Sequence, residues 1–333
     1  MKSIKKWKKA LLAAAAAVCG VLLLYALFCL VATPLFYNVY ASAAEELHTI
    51  PDLWNGFTPQ GVTKQEGGDS YLICGYMPGS EPSRIYRIDA DGSKTLIRLA
   101  KMDGSAYTGH AGGLTASGGF VYISNASQLF VLSADDIANA KDGDTVAFIG
   151  SFTVPCRASF CSSDGKMLYV GEYHAEGYDT DESHILSMRD GETYAAMVFA
   201  YRLDDAAEFG VTEPYAPVAA YAIRDKAQGF AIDPNGTAYI SCSWGLESAA
   251  LYRYTTEGDA DSVFQYADTQ IPLYMLDAQR QINVTTMPHM SEDLEYREGV
   301  LLMAFEAGAK KYGAGLLPFS VRSIVALHPD QLS

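Results

Sequence analysis

From Ala10 to Phe36 the chain carries no charged residue, and within that stretch LLAAAAAVCGVLLLYALFCLVA runs apolar for 22 residues. As a helix the run is long enough to cross a hydrocarbon core of about 30 Å, and it exceeds the roughly 7–15 residues of a cleaved signal's apolar region. Ahead of it lie Lys2, Lys5, Lys6, Lys8 and Lys9 with no acid. The pattern predicts a cytoplasmic basic segment over 1–9, a transmembrane anchor over 10–36, and export of everything that follows. Ala41-Ser42-Ala43 has the small-x-small form of a signal-peptidase site, so the alternative is a protein secreted after cleavage near Ala43.

Beyond Phe36 the polar and apolar positions change period. One unit recurs five times: a small-residue turn, an apolar strand, a polar tip and an aromatic-rich second strand. The copies begin at Thr58 (TPQGVTKQEGGDSYLICGY), Gly109 (GHAGGLTASGGFVYISN), Cys156 (CRASFCSSDGKMLYVGEYH), Ala227 (AQGFAIDPNGTAYISCSWG) and Pro288 (PHMSEDLEYREGVLLMAFEAG). Their tips, Gly67-Gly68, Gly118-Gly119, Asp164-Gly165, Asn235-Gly236 and Glu298-Gly299, are tight-hairpin sequences. Aligned on Gly61, Gly113, Ser159, Gly229 and His289, the copies step by 52, 46, 70 and 60 residues. That range fits four-stranded propeller blades with loop insertions.

The expected fold is therefore all-β, a β-propeller of five four-stranded blades over 46–333, with six blades as the alternative and residues 37–45 as linker. Outer strands are expected at 95–100, 144–152, 216–223 and 271–276. The fifth blade lacks a C-terminal fourth strand, and residues 46–51 are the candidate to complete it and close the ring.

Charge narrows the partners. With the five N-terminal lysines set aside, 19 of the 24 basic residues remain against all 39 acidic ones, a net of −20. Such a domain repels nucleic acid. Four cysteines lie outside the anchor, Cys74, Cys156, Cys161 and Cys242; they allow two disulfides in three pairings, and sequence does not rank them.

In a propeller the first strand of each blade starts, and the second ends, at the same mouth of the ring. First-strand starts nominate Gln60, His110, Arg157, Gln228 and His289; second-strand ends nominate Asn125, Glu172, His174, Trp244 and Glu306 among others. One opening thus collects histidines, carboxylates, an arginine, amides and aromatics, the composition of a binding pocket. Polar residues near the axis also serve simply to tie blades together, which is the structural alternative. Glu172 and Glu306 hold equivalent places in blades three and five, so they are candidates, with Asn125, to coordinate a hard cation such as Ca²⁺. No GxSxG, HExxH, P-loop or EF-hand pattern occurs.

The repeat lines TPQGVT, GHAGGLTASGGFVYIS, AQGFAIDPNGTAYISCSWG and MPHMSEDL with LLMAFEAGAKKY resemble uncharacterised exported propeller proteins of bacteria. More distantly they resemble the gluconolactonase and YVTN-type propellers. The lactonase resemblance implies one divalent cation on the axis, held by a first-blade glutamate with asparagines and an aspartate; the comparable first-blade place here holds Gln60, and only Asn125 fits an asparagine slot. The leading expectation is a membrane-anchored extracytoplasmic binding or scaffold module, taking a small molecule, a glycan or a cell-envelope protein at its mouth. The alternative is a metal-dependent hydrolase or lactonase at the same place.

Overall fold

In a computed structural model describing residues 2–313 and 315–332, the chain is a five-bladed β-propeller preceded by one long helix. The expected hairpins are all present. Blade one is Thr58–Lys64, Tyr71–Tyr76, Arg84–Ile88 and Lys94–Ala100; blade two is Gly113–Ser117, Phe120–Asn125, Gln128–Ser133 and Gly150–Thr153. Blade three is Ala158–Ser163, Met167–Glu172, Ala196–Arg202 and Ala219–Ile223; blade four is Ala227–Ile232, Thr237–Cys242, Ala249–Thr255 and Gln281–Met287. Blade five is Ser291–Arg297, Val300–Phe305 and Ser323–Leu327. Each hairpin tip has a glycine in the left-handed region, from Gly67 at φ 69° to Gly299 at φ 91°, as turns of this tightness require.

Ala44–Thr49 pairs antiparallel with Ser323–Leu327 and so supplies the missing fourth strand of blade five. The ring is closed by the two ends of the domain, and no blade is left with an open flank there.

Two outer strands differ from expectation. The 144–152 run divides at Phe148: Asp144–Ala147 joins blade one as a fifth, parallel strand, and only Gly150–Thr153 belongs to blade two. Val146 and Phe148 thereby bury against Leu99 and Tyr107 of the blade-one core. Likewise Thr269–Met275 forms a hairpin with Ser262–Tyr266 and docks parallel on the outer strand of blade three. Blade four is instead completed by Gln281–Met287, whose alternating burial marks an outer strand with one wet face.

Glycine sets how closely the blades meet at the axis. A Cβ on Gly61 would lie 2.4 Å from the Leu114 nitrogen, and one on Gly229 would lie 2.6 Å from the Leu294 nitrogen, so neighbouring inner strands touch backbone to backbone.

At the N-terminus one helix, Lys2–Phe36, contains a 23-residue apolar window, Trp7–Cys29, of mean hydropathy 2.5. It is long and apolar enough to cross a membrane. A second short helix, Asn38–Ala43, follows it and packs into the groove between blades four and five. There Tyr37, Tyr40 and Ala43 bury against Ala249, Leu251, Met287, Phe305 and Leu327.

Candidate functional site

Four inner strands bulge at the same level. In blade one Pro59 pairs with Gly75 and Gly61 with Cys74, leaving Gln60 as the extra residue. Blade three leaves Ser159 and blade four Gln228 in the same way. In blade five the irregularity falls between Ser291 and Leu294, so that Glu292 and Asp293 together oppose Ala304. A bulge re-aims one side chain out of the strand's alternation, and here it turns Gln60, Ser159, Gln228 and Glu292 into a common cavity.

Below the bulges the axis is filled. Asp293 accepts the backbone N–H of Leu114 at 3.0 Å. Glu295, fully buried, accepts from the hydroxyls of Thr63 and Thr115, from the Ser163 backbone N–H at 3.2 Å and from Arg297 at 2.9 Å. One carboxylate thus joins blades one, two, three and five. Burial and the nearby Glu295 charge hold the Asp293 carboxyl well above its usual range.

Above them lies a cavity of about 500 Å³, within the range of small-molecule sites. Two glutamates from blade five form its centre. Gln60 Nε2 donates to Glu306 at 3.2 Å, and Gln228 Nε2 donates to Glu292 at 3.3 Å. Glu292 also stands close enough to Glu306 for the two carboxyls to interact, and Tyr312 lines the cavity beside Glu306. Burial, then repulsion from Glu306, pushes Glu292 well above the carboxylate range; burial raises Glu306 too, opposed by its hydrogen bonds and by Lys311. The pair therefore holds on to a proton at higher pH than isolated carboxyls do.

Lys311 stands beside the pair. Its Nζ donates to Tyr76 Oη at 2.6 Å and lies 4.9 Å from the centre of the Tyr312 ring. His110 packs on Tyr76 with ring centroids 4.7 Å apart, and its backbone N–H is accepted by Asn125 Oδ1 at 3.0 Å. Solvent reaches the His110 ring through the mouth, but the cavity walls and then the charges of Lys311 and Arg157 push its pKa down to about 4. At neutral pH the mouth therefore presents a neutral imidazole beside the carboxyl pair and the side chains of Lys311 and Arg157, within a strongly acidic domain.

Blades three and four complete the wall with aromatics. Trp244 stacks on Tyr173 at 6.2 Å and 24°, and Tyr178 meets both rings edge-on. Trp244 and Tyr178 remain about two-fifths exposed, their faces open to the cavity.

Of the residues nominated from sequence, Gln60, His110, Asn125, Arg157, Gln228, Trp244 and Glu306 line this cavity. Glu172, His174 and His289 do not. Glu172 is buried, with its carboxylate bonded to His184 Nδ1 at 2.7 Å and accepting the Met197 N–H, so it cannot join Glu306 and Asn125 around one cation. His174 points instead at Asp225, 4.0 Å away. His289 is buried one turn of chain too early, and the place assigned to it belongs to Glu292. Counting back from the tip Glu298-Gly299, as Gly61 counts back from Gly67, would have reached Glu292 and Asp293. Lys311, Tyr312 and Tyr178 sit on loops outside the repeat, where repeat counting has no purchase.

Among the described residues no group of three or more His, Cys, Asp or Glu side chains converges as a metal cluster. For a hard cation the cavity offers the carboxylates of Glu292 and Glu306 with amide oxygens of Gln60 and Gln228, beside the competing charge of Lys311. None of the cysteines is in a disulfide; Cys74, Cys156 and Cys161 are buried thiols.

The sequence matches no protein-family model and no curated protein. Similar solved structures are propeller-like. They include the PQQ-bound aldose sugar dehydrogenase of Streptomyces coelicolor, at 17% identity over 79% of this chain and 78% of that one, TM-score 0.41. A protein assigned as a 6-phosphogluconolactonase from Bacteroides uniformis is 13% identical over 76% and 78%, TM-score 0.37. BamB of Moraxella catarrhalis is 12% identical over 81% and 82%, TM-score 0.33. What those proteins bind or catalyse belongs to them; the five-bladed fold of this chain rests on its own strand pairing.

Proposed function

We propose that this chain is a membrane-anchored binding module, with its N-terminal lysines in the cytoplasm and its propeller outside, and that the mouth takes a polyhydroxylated ligand of saccharide type. The observation that carries the reading is the meeting, in one cavity, of an aromatic wall (Trp244, Tyr173, Tyr178) with paired amide and carboxyl groups (Gln60 with Glu306, Gln228 with Glu292). Flat rings accept the apolar face of a sugar ring, while amides and carboxylates satisfy neighbouring hydroxyls. Two carboxyl groups, Glu292 and Glu306, stand against two basic side chains, Arg157 and Lys311, a balance that suits an uncharged ligand. Calorimetric titration of the full chain in detergent micelles with mono- and disaccharides tests this: saturable heat is expected, abolished by Trp244→Ala. Absence of heat across the panel would remove the saccharide reading.

A second reading, a hydrolase at the same mouth, is favoured by the Glu292–Glu306 pair. A protonated carboxyl beside an ionised one supplies a general acid and a base together. If that hydrolase is metal-dependent, Ca²⁺ takes Glu306 and Glu292 as its carboxylate ligands. Turnover on lactone, ester and glycoside panels, lost in Glu306→Gln, separates hydrolase from binder.

A further inference from the structure

We infer that the mouth of the propeller is turned onto the bilayer crossed by the N-terminal helix, so that its ligand is the polar head of a membrane-embedded, saccharide-bearing lipid. This rests on both the anchor and the mouth-binding readings. The long helix joins the propeller at the rim of the cavity. Tyr37, at its base, bonds through Oη to Ser248 Oγ at 3.0 Å, four residues beyond Trp244 on the cavity wall. On the other side, Phe319 packs edge-on against Phe28, Phe36 and Tyr37 at 6.4, 5.7 and 5.1 Å.

Phe319 ends a loop that begins at the cavity. Lys311 and Tyr312 line the mouth, and farther along the same loop Leu316 and Phe319 meet the helix. The Tyr25 hydroxyl donates to the Leu316 carbonyl. Tyr25 lies inside the Trp7–Cys29 apolar window, 11 residues before Phe36 and hence about 16 Å along the helix at 1.5 Å per residue. With the helix in a bilayer, Leu316 is at the depth of the hydrocarbon, and its side chain, 64% exposed, meets lipid. A non-helical carbonyl at that depth needs an internal partner, which Tyr25 provides.

Other apolar groups stand free on the same rim: Leu246 on the loop after Trp244, and Trp54 on the turn that touches Lys310–Tyr312. Tryptophans and tyrosines at the edge of an apolar surface are the composition of a membrane interface. Arg157 and Lys311 face the same way, whereas the acidity of the domain as a whole disfavours contact of its other surfaces with anionic lipid.

Three single-tryptophan versions of the full chain, keeping Trp7, Trp54 or Trp244 with the others changed to Phe, are reconstituted into phosphatidylcholine vesicles brominated high on the acyl chain. Quenching of all three is expected. Quenching of Trp7 alone overturns the inference while leaving the anchor; no quenching of Trp7 overturns the anchor and the inference with it. Vesicles carrying a lactosyl-headed lipid are then compared with free lactose. Binding of the lipid at least tenfold tighter than the free sugar is expected, and loss of that preference in Leu246→Asp/Leu316→Asp. Equal binding overturns the membrane-borne ligand, and binding of neither overturns the saccharide reading beneath it.

Discussion

Glu292 and Glu306 meet in the mouth, and each is held from the flank by one glutamine, Gln228 and Gln60, from the blades on either side of blade five. A second carboxyl in so enclosed a place costs stability whenever both ionise. Carboxyl groups perturbed in this way cluster at functional sites.

The pH dependence of stability follows from the direction of the Glu292 shift. Its folded pKa lies above the unfolded value, so the folded state binds the proton more tightly, and this contribution is present at low pH and lost as pH rises past the usual carboxylate range toward the folded pKa. Glu292→Gln removes the dependence. Thermal unfolding of the variant between pH 5 and pH 8, taken as round limits spanning about the physiological window, should show a flatter pH profile than wild type and a higher midpoint at the alkaline end. A midpoint lower than wild type throughout would mean that the pair is structural glue.

Glu295 should behave in the opposite way. Its carboxylate is buried with Arg297 and joins blades one to three through Thr63, Thr115 and Ser163. Glu295→Ala leaves Arg297 uncompensated, and denaturant unfolding should register a loss of about 3–5 kcal/mol.

His110 should stay neutral across the physiological range. Enclosure by the cavity walls and the charges of Lys311 and Arg157 depress its pKa to about 4, so its ring proton resonances should not titrate above about pH 5.5 in NMR spectra, well below the usual midpoint near 6.5. Lys311→Ala removes one of the two cations and should move the midpoint upward.

The cysteines give a chemical check on the fold. With all six sulfurs unpaired, denatured and unreduced protein should titrate six thiols with a chromogenic disulfide, and the buried Cys74, Cys156 and Cys161 should react only after unfolding. A count of two or four would show that disulfides tie the blades.

The hairpins were legible because glycine tips and alternating strands repeat, and the closing strand because the fifth repeat shows only three strands of its own and an unassigned strand-like run precedes blade one. Outer strands were not. Asp144–Ala147 and Thr269–Met275 have strand composition, but which blade they join depends on edges that sequence does not number. The mouth was legible wherever the count from tip to strand start held, as for Gln60 and Gln228. It failed at His289 because the inner strand of blade five starts two residues later, and it failed at Glu172, whose partner His184 comes from an insertion. The Tyr178 and Lys311–Tyr312 loops carry no repeat and reach the cavity only through tertiary folding.

The most direct test of the central claim, that the mouth is a ligand site and not a set of ties between blades, is calorimetric titration of the full chain with the saccharide panel, comparing wild type, Trp244→Ala and Gln60→Leu/Gln228→Leu. The account predicts saturable binding to wild type, lost in both variants while their unfolding midpoints stay near that of wild type. Unchanged binding in the variants, or collapse of their midpoints with no ligand bound by wild type, would contradict it.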